Sequence, residues 1–89
     1  SNALLEQLAA GRVCICWDNA AFRQIVDDDS AFLVAQGDTD ALVRTLREIA
    51  RDLTEARRRA ENGAKLAAAY GLEGHLSRFE GVVARRMAF

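Results

Sequence analysis

Proline is missing from the 89 residues, and histidine, tryptophan, tyrosine and methionine each occur once. Without proline, nothing in the chain breaks a helix outright, so helical patterns run until a cap or a turn stops them. The single histidine, His75, has no serine, cysteine or carboxylate beside it in a recognisable catalytic order. It reads as a solvated or core-edge residue. There are two cysteines, Cys14 and Cys16, set two apart so that a strand would point both to one face. With no third and fourth ligand nearby they make a poor zinc site, and they are expected to be small core residues in a reducing compartment. An excess of either charge is also lacking: 12 basic against 13 acidic residues leave a formal charge of −1, with a pI near 5.7. Such a chain has no basic field for nucleic acid or an anionic membrane. No apolar run approaches the ~20 residues of a spanning helix, and no charged start leads into an apolar stretch as in a secretion signal. The expectation is a cytosolic protein with no integral membrane segment, no internal repeat and no low-complexity linker.

What is present is globular. Hydrophobic residues make up 51% and charged residues 28%, and a chain this short forms one small domain burying roughly 60% of the surface its unfolded form exposes. Ser1-Asn2-Ala3 has the character of residues left by tag removal, so positions 1–3 are set apart from the domain at 4–89. The pattern enters at Leu4 inside a helix and without a methionine, from which we expect a larger protein upstream.

Leu4 to Ala10 reads as a short apolar helix stopped at Gly11, the residue suited to the left-handed position after a helix end. Arg12 to Trp17 carries the apolar run Val13-Cys14-Ile15-Cys16-Trp17, the pattern of a strand covered on both faces. Asp18-Asn19 can cap a second short helix with Phe22, Ile25 and Val26 turned inward, before the acidic turn Asp27-Asp28-Asp29-Ser30. Ala31 to Ala35 is a second buried strand. Helix, strand, helix, strand is the order of a parallel α/β layer.

The remainder is helical. Asp38 can cap a helix from Thr39 to about Asp52, whose Leu42, Val43, Leu46, Ile49, Ala50 and Leu53 form one apolar stripe. Thr54 can cap a further helix with Arg57-Arg58-Arg59 on its wet side and Ala60, Ala64, Ala67 and Ala68 where it packs closely, ended by Tyr70-Gly71. Leu72, Leu76, Phe79, Val83 and Met87 give a last helix its stripe. The expected fold is α/β, part of a Rossmann-like domain with two parallel strands and about five helices.

Leu5-Glu6-Gln7-Leu8-Ala9-Ala10-Gly11-Arg12-Val13, Asp18 to Val26, Phe32-Leu33-Val34 and Gly37-Asp38-Thr39-Asp40-Ala41-Leu42 fall in the order and spacing of a known family. The chain resembles the C-terminal part of the group 1 retaining glycosyltransferases of GT-B fold. That family reads Glu-Ala-Met-Ala-Ala-Gly, a strand, a Gly-Gly turn, Glu-Ile-Val, a second strand, then Gly-Asp-Pro-Glu-Ala-Leu. The likeness continues through Asn62 to Leu66 and Tyr70 to Glu73. It departs at Ala20-Ala21, where the family has Gly-Gly, and at Gln24, where it has glutamate.

The resemblance implies the donor-binding half of an enzyme with two Rossmann-like domains. It matches Glu6 to the second of two glutamates separated by seven intervening residues, whose carboxylate accepts hydrogen bonds from the ribose hydroxyls of a nucleotide-sugar donor. Read from the residue alone, Glu6 is an ordinary surface glutamate on a short helix. The first glutamate, the glycine-rich loop and the diphosphate-binding residues would lie before Leu4. The expected function is therefore a fragment of a nucleotide-sugar-dependent glycosyltransferase, inactive in isolation, with no catalytic residue, metal or cofactor of its own. The alternative is a non-catalytic α/β module that binds another protein. The acidic triplet Asp27-Asp28-Asp29 lacks the alternating spacing and distal glutamate of a calcium loop and reads as a solvated turn. In the resembled fold one edge of Arg12–Trp17 has lost its neighbour, and we expect a homodimer formed through that strand edge.

Overall fold

The computed structural model describes the backbone of residues 2–87 and the side chains of residues 3–70. His75 and the stripe Leu72, Leu76, Phe79, Val83 and Met87 therefore have side chains outside the described residues. The element order is α1 (Asn2–Ala9), β1 (Ile15–Asp18), α2 (Ala20–Arg23), β2 (Phe32–Ala35), α3 (Thr39–Arg51) and α4 (Leu53–Met87). The expected α/β layer is present: β1 and β2 form a parallel two-stranded sheet, with Ile15 opposite Phe32 and Trp17 opposite Val34.

The local chemistry explains where elements begin and end. Gly11 sits at φ +73° just past α1, a conformation glycine adopts without the Cβ penalty other residues meet. Asn19 caps α2 by accepting a hydrogen bond from the Phe22 amide at 2.9 Å, and Asp38 caps α3 by accepting from the Ala41 amide at 2.9 Å. The α3–α4 corner is capped by Asp52, whose Oδ1 accepts from the Thr54 amide at 2.9 Å. Thr54 itself, expected to be the cap, lies inside α4.

There are four helices rather than about five, because α4 runs through Tyr70-Gly71 to Met87 without a break. A glycine inside a helix costs only about 1 kcal/mol relative to alanine, and no proline follows to stop the helix. α1 also begins two residues early and takes in Asn2 and Ala3, while both strands are shorter than the apolar runs that announce them.

In a parallel pair, opposed residues point to the same face, so the sheet has two unlike sides. On one, Cys14, Cys16, Ala31 and Leu33 meet Leu4 and Leu8 of α1 and Leu66 and Ala67 of α4, with Phe22, Ile25 and Val26 closing the end. Leu8 is the one large side chain there with no exposed surface. Close approach of α1 to α4 depends on Gly63, where an added Cβ would stand 2.8 Å from Leu8 Cδ2 and 3.1 Å from the Ser30 carbonyl oxygen. Ala60 and Ala67 are buried along the same side of α4, whereas Ala68, expected to pack with them, is exposed.

The other face, carrying Ile15, Trp17 and Val34, is only partly covered. α3 lies against β2, and Ile15 and Trp17 of β1 stay partly exposed beside Leu42 and Phe22. No residue of α3 is fully buried. Leu42 and Ile49 are half-buried, but Leu46 is 51% exposed, Leu53 48% and Val43 39%. The stripe keeps its period from Leu42 to Ala50, but Asp52 is extended and Leu53 opens α4 instead of continuing α3; the burial also falls short, because a sheet of two strands is too narrow to fill the space beside the helix.

Candidate functional site

Glu6 stands on the outer surface of α1, exposed, on the turn before Gly11. Its backbone carbonyl accepts from the Ala10 amide at 3.1 Å, and among the described residues no ion pair engages its carboxylate. The carboxylate is therefore free to accept hydrogen bonds from outside the chain. Arg12, five residues on, is held by its own neighbour, with Nη1 donating to Gln7 Oε1 at 2.6 Å.

A parallel layer presents its loops at the carboxyl ends of the strands, where open α/β sheets bind ligands. Here that edge is built from Asp18, Asn19, Gln36 and Asp38, and each has an internal partner. Asn19 Nδ2 donates to Gln36 Oε1 at 3.0 Å, tying the end of β1 to the end of β2. Asp18 receives two hydrogen bonds from Arg23, at 2.5 and 2.9 Å. These hold its carboxyl below the usual carboxylate range, and the opposite charge of the guanidinium adds to the effect. One amide at the start of each helix, that of Phe22 in α2 and that of Ala41 in α3, is taken by the capping side chain of Asn19 or Asp38. The Asn19–Gln36 and Asp18–Arg23 pairs escaped the sequence reading. Only the five-residue interval from Asp18 to Arg23 hints at the latter.

Ala20 and Ala21, which stand where the resembled family has Gly-Gly, form the first turn of α2 in ordinary helical geometry. Among the described residues the only positive φ angles are at Gly11 and Gly37. Gln24 follows α2 as its C-cap and is exposed.

Between the uncovered face of β1 and the flank of α3 lies an apolar cleft of about 200 Å³, lined by Ile15, Cys16, Trp17, Phe22, Val34 and Leu42. Glu6 is not part of it. The cleft carries no charged side chain, so it suits a packed apolar group rather than a phosphate or sugar.

The cysteines are free thiols in the core. Burial pushes both upward in pKa, and the neighbouring Cys14 pushes Cys16 further. Neutral, desolvated thiols are weak nucleophiles and weak metal ligands. No group of three or more His, Cys, Asp or Glu side chains surrounds a common point among the described residues. The acidic turn is a folded corner: Asp27 Oδ1 accepts from the Asp29 amide at 2.9 Å and the Ser30 hydroxyl at 3.1 Å. Asn62 of α4 donates to the Asp29 carbonyl at 2.9 Å.

One basic residue departs from the expected wet face of α4. Arg59 lies 4.0 Å over the Phe32 ring and donates through Nη1 to the Ala31 carbonyl at 3.2 Å, roofing the end of β2 with a cation–π contact. No helix among the described residues is long and apolar enough to cross a membrane. No protein family, characterised protein or solved structure is detectably similar to the chain, so its likeness to any family stands on the residues quoted above.

Proposed function

We propose that this chain is a C-terminal portion of the donor-binding domain of a nucleotide-sugar-dependent glycosyltransferase of the group 1, GT-B type. The observation that carries the reading is the exposed, unpaired Glu6 on α1, followed in order by the Ala9-Ala10-Gly11 helix end, a parallel β-α-β unit and the capped Gly37-Asp38 start of α3. A carboxylate free to accept two vicinal hydroxyls suits the ribose of a nucleotide donor. The diphosphate-binding groups, the acceptor domain and the choice of sugar are supplied by other parts of that protein, which acts in the cytosol, where the buried thiols stay reduced.

The test has two arms. The 89-residue chain alone turns over no nucleotide sugar, since positioning and leaving-group stabilisation both need groups it lacks. In the longer enzyme, Glu6→Ala weakens donor binding by about 1.5–3 kcal/mol, the scale of hydrogen bonds to a charged acceptor. Calorimetry showing unchanged donor affinity returns Glu6 to the ordinary surface and removes the main support for the reading.

A second reading, a non-catalytic module that binds another protein, is favoured by one observation: Val43 and Leu46 of α3 are exposed beside an apolar cleft lined in part by Leu42. The first reading requires nucleotide-sugar binding by the longer protein; the second requires none.

A further inference from the structure

The two edges of the sheet are not alike. In a parallel ladder the backbone groups of alternate residues point to opposite edges. The Phe32 amide donates to the Cys14 carbonyl at 2.9 Å. With Ile15 opposite Phe32, this turns Cys14, Cys16 and Asp18 toward β2, and Ile15 and Trp17 away from it. By the same alternation Ala31, Leu33 and Ala35 face the outer edge of β2. That edge is stopped at both ends: Arg59 Nη1 donates to the Ala31 carbonyl at 3.2 Å, and the Asp38 amide donates to the Ala35 carbonyl at 2.9 Å. At the outer edge of β1, among the described residues, no such contact engages the backbone of Ile15 or Trp17. No charge or proline interrupts Val13-Cys14-Ile15-Cys16-Trp17, so this edge also lacks the devices that keep other strands away.

The strand is complementary to itself. Laid antiparallel about a two-fold axis at Ile15, a second copy sets Ile15 across from Ile15, Val13 across from Trp17 and Arg12 across from Asp18. Ile15 and Trp17 are the residues whose backbone groups point outward, so Ile15 with Ile15 and Val13 with Trp17 become the hydrogen-bonded pairs of an antiparallel ladder. An axis at Cys14 or Cys16 would instead oppose groups already committed to β2. An axis at Val13 or Trp17 would leave both charges across from uncharged residues. Ile15 is therefore the position that satisfies the outward groups and also brings together the opposite charges flanking the apolar run. Arg12 and Asp18 are both exposed, and Asp18 keeps its bond to Arg23, since each carboxylate oxygen can accept more than one donor. The side chains of Val13, Ile15 and Trp17 from both copies fall on the less covered face of the sheet, where Val13 alone is 39% exposed.

We infer that the outer edge of β1 is a docking edge for a second copy of the 89-residue chain, the two β1 strands pairing antiparallel about Ile15 to make one four-stranded sheet in the order β2-β1-β1-β2. A sheet of two strands is marginal alone, and four strands with a shared apolar face are not. The inference rests on backbone direction and charge, not on the glycosyltransferase reading.

The 89-residue chain should give a mass near twice 9.8 kDa by light scattering at micromolar concentration. Hydrogen exchange locates the contact: the Ile15 and Trp17 amides, which no partner within the chain engages, should exchange more slowly as concentration rises, while Leu33 at the outer edge of β2 stays unchanged. Ile15→Pro removes an outward amide and no bond of the β1–β2 ladder, a place where a strand tolerates proline. It should keep the circular dichroism of the folded chain and raise the dimer dissociation constant roughly tenfold or more. Arg12→Glu, which sets like charges across the seam, should also weaken the dimer. A monomer at micromolar concentration overturns the inference. So does a dimer in which the Ile15 and Trp17 amides exchange as fast as in dilute solution, a reading made on the parent chain that stands even if Ile15→Pro fails to fold.

Discussion

Gly63→Ala pits two physical effects against each other at one atom. Gly63 lies inside α4, where alanine is worth about 1 kcal/mol over glycine in helix propensity. On that ground alone the substitution stabilises. The added Cβ, however, would stand 2.8 Å from Leu8 Cδ2 and 3.1 Å from the Ser30 carbonyl oxygen. Leu8 has no exposed surface to move toward, and Ser30 belongs to the corner fastened by Asp27 and by Asn62 of α4. Overpacking of this kind costs about 1–3 kcal/mol. The clash outweighs the propensity, and the expected net effect is a loss of about 1 kcal/mol.

The decisive measurement is a double-mutant cycle read by urea or thermal unfolding. Leu8→Ala alone should cost about 2–5 kcal/mol, since it empties the fully buried position in the core. Added to that variant, Gly63→Ala should become near-neutral or stabilising: the closer obstruction, Leu8 Cδ2, is gone, only the Ser30 carbonyl oxygen at 3.1 Å remains, and the helix gains its propensity term. The coupling should reach about 1–3 kcal/mol. If Leu8→Ala leaves too little folded protein, Leu8→Val supports the same cycle with a smaller loss. Additive effects, or a stabilising Gly63→Ala in the parent chain, would refute the reasoning and mean that α1 and α4 do not approach this closely.

Glu55 accepts hydrogen bonds from Arg58 and Arg59, which draw its pKa from 4.5 down to about 2. A depressed folded-state value means its contribution is present above about pH 4.5 and fades as pH falls toward 2, so the melting-temperature gap between the parent chain and Glu55→Gln should be constant above pH 5 and close by pH 2; a gap unchanged over that range would refute the pairing. Asp38→Ala should remove the cap on α3 and cost about 1 kcal/mol, with Asp38→Asn costing much less; equal losses from the two would show that charge near the helix start, not the bond to the Ala41 amide, is what matters.

The parts of the fold that were legible in the sequence are those fixed within a few neighbours. Gly11, Asn19 and Asp38 each act through a bond or dihedral set by local backbone, and each marks its helix end as expected. The two apolar runs announced their strands and their parallel order. What was not legible depends on distant residues. The continuity of α4 through Gly71 turns on the weakness of glycine as a helix breaker when no proline follows. The inward turn of Arg59 depends on Phe32 and on the Ala31 carbonyl, far from it in sequence. No local pattern distinguishes Arg59 from its neighbours Arg57 and Arg58. At the candidate site, Glu6 could be placed on its helix from sequence, but the Asn19–Gln36 link across the strand ends required the register of β1 against β2.

The stripe on α3 shows how a correct period can give a wrong burial. Leu42, Val43, Leu46, Ile49, Ala50 and Leu53 recur as an inward-facing helix should, yet periodicity says only that one side of a helix is apolar. What covers that side depends on the width of the layer beneath, and a layer of two strands supports α3 along β2 and leaves Ile15 and Trp17 of β1 partly exposed. Leu42 and Ile49 are half-buried; Val43 and Leu46 stand exposed, and Leu53, past the extended Asp52, belongs to α4. Exposed apolar area costs free energy in proportion to its extent, and the strip adjoins an open cleft of the same character. The one-sided core is thus a consequence of the narrow layer. The face against α1 and α4 is closed by small residues brought close at Gly63, while the face against α3 stays partly open among the described residues.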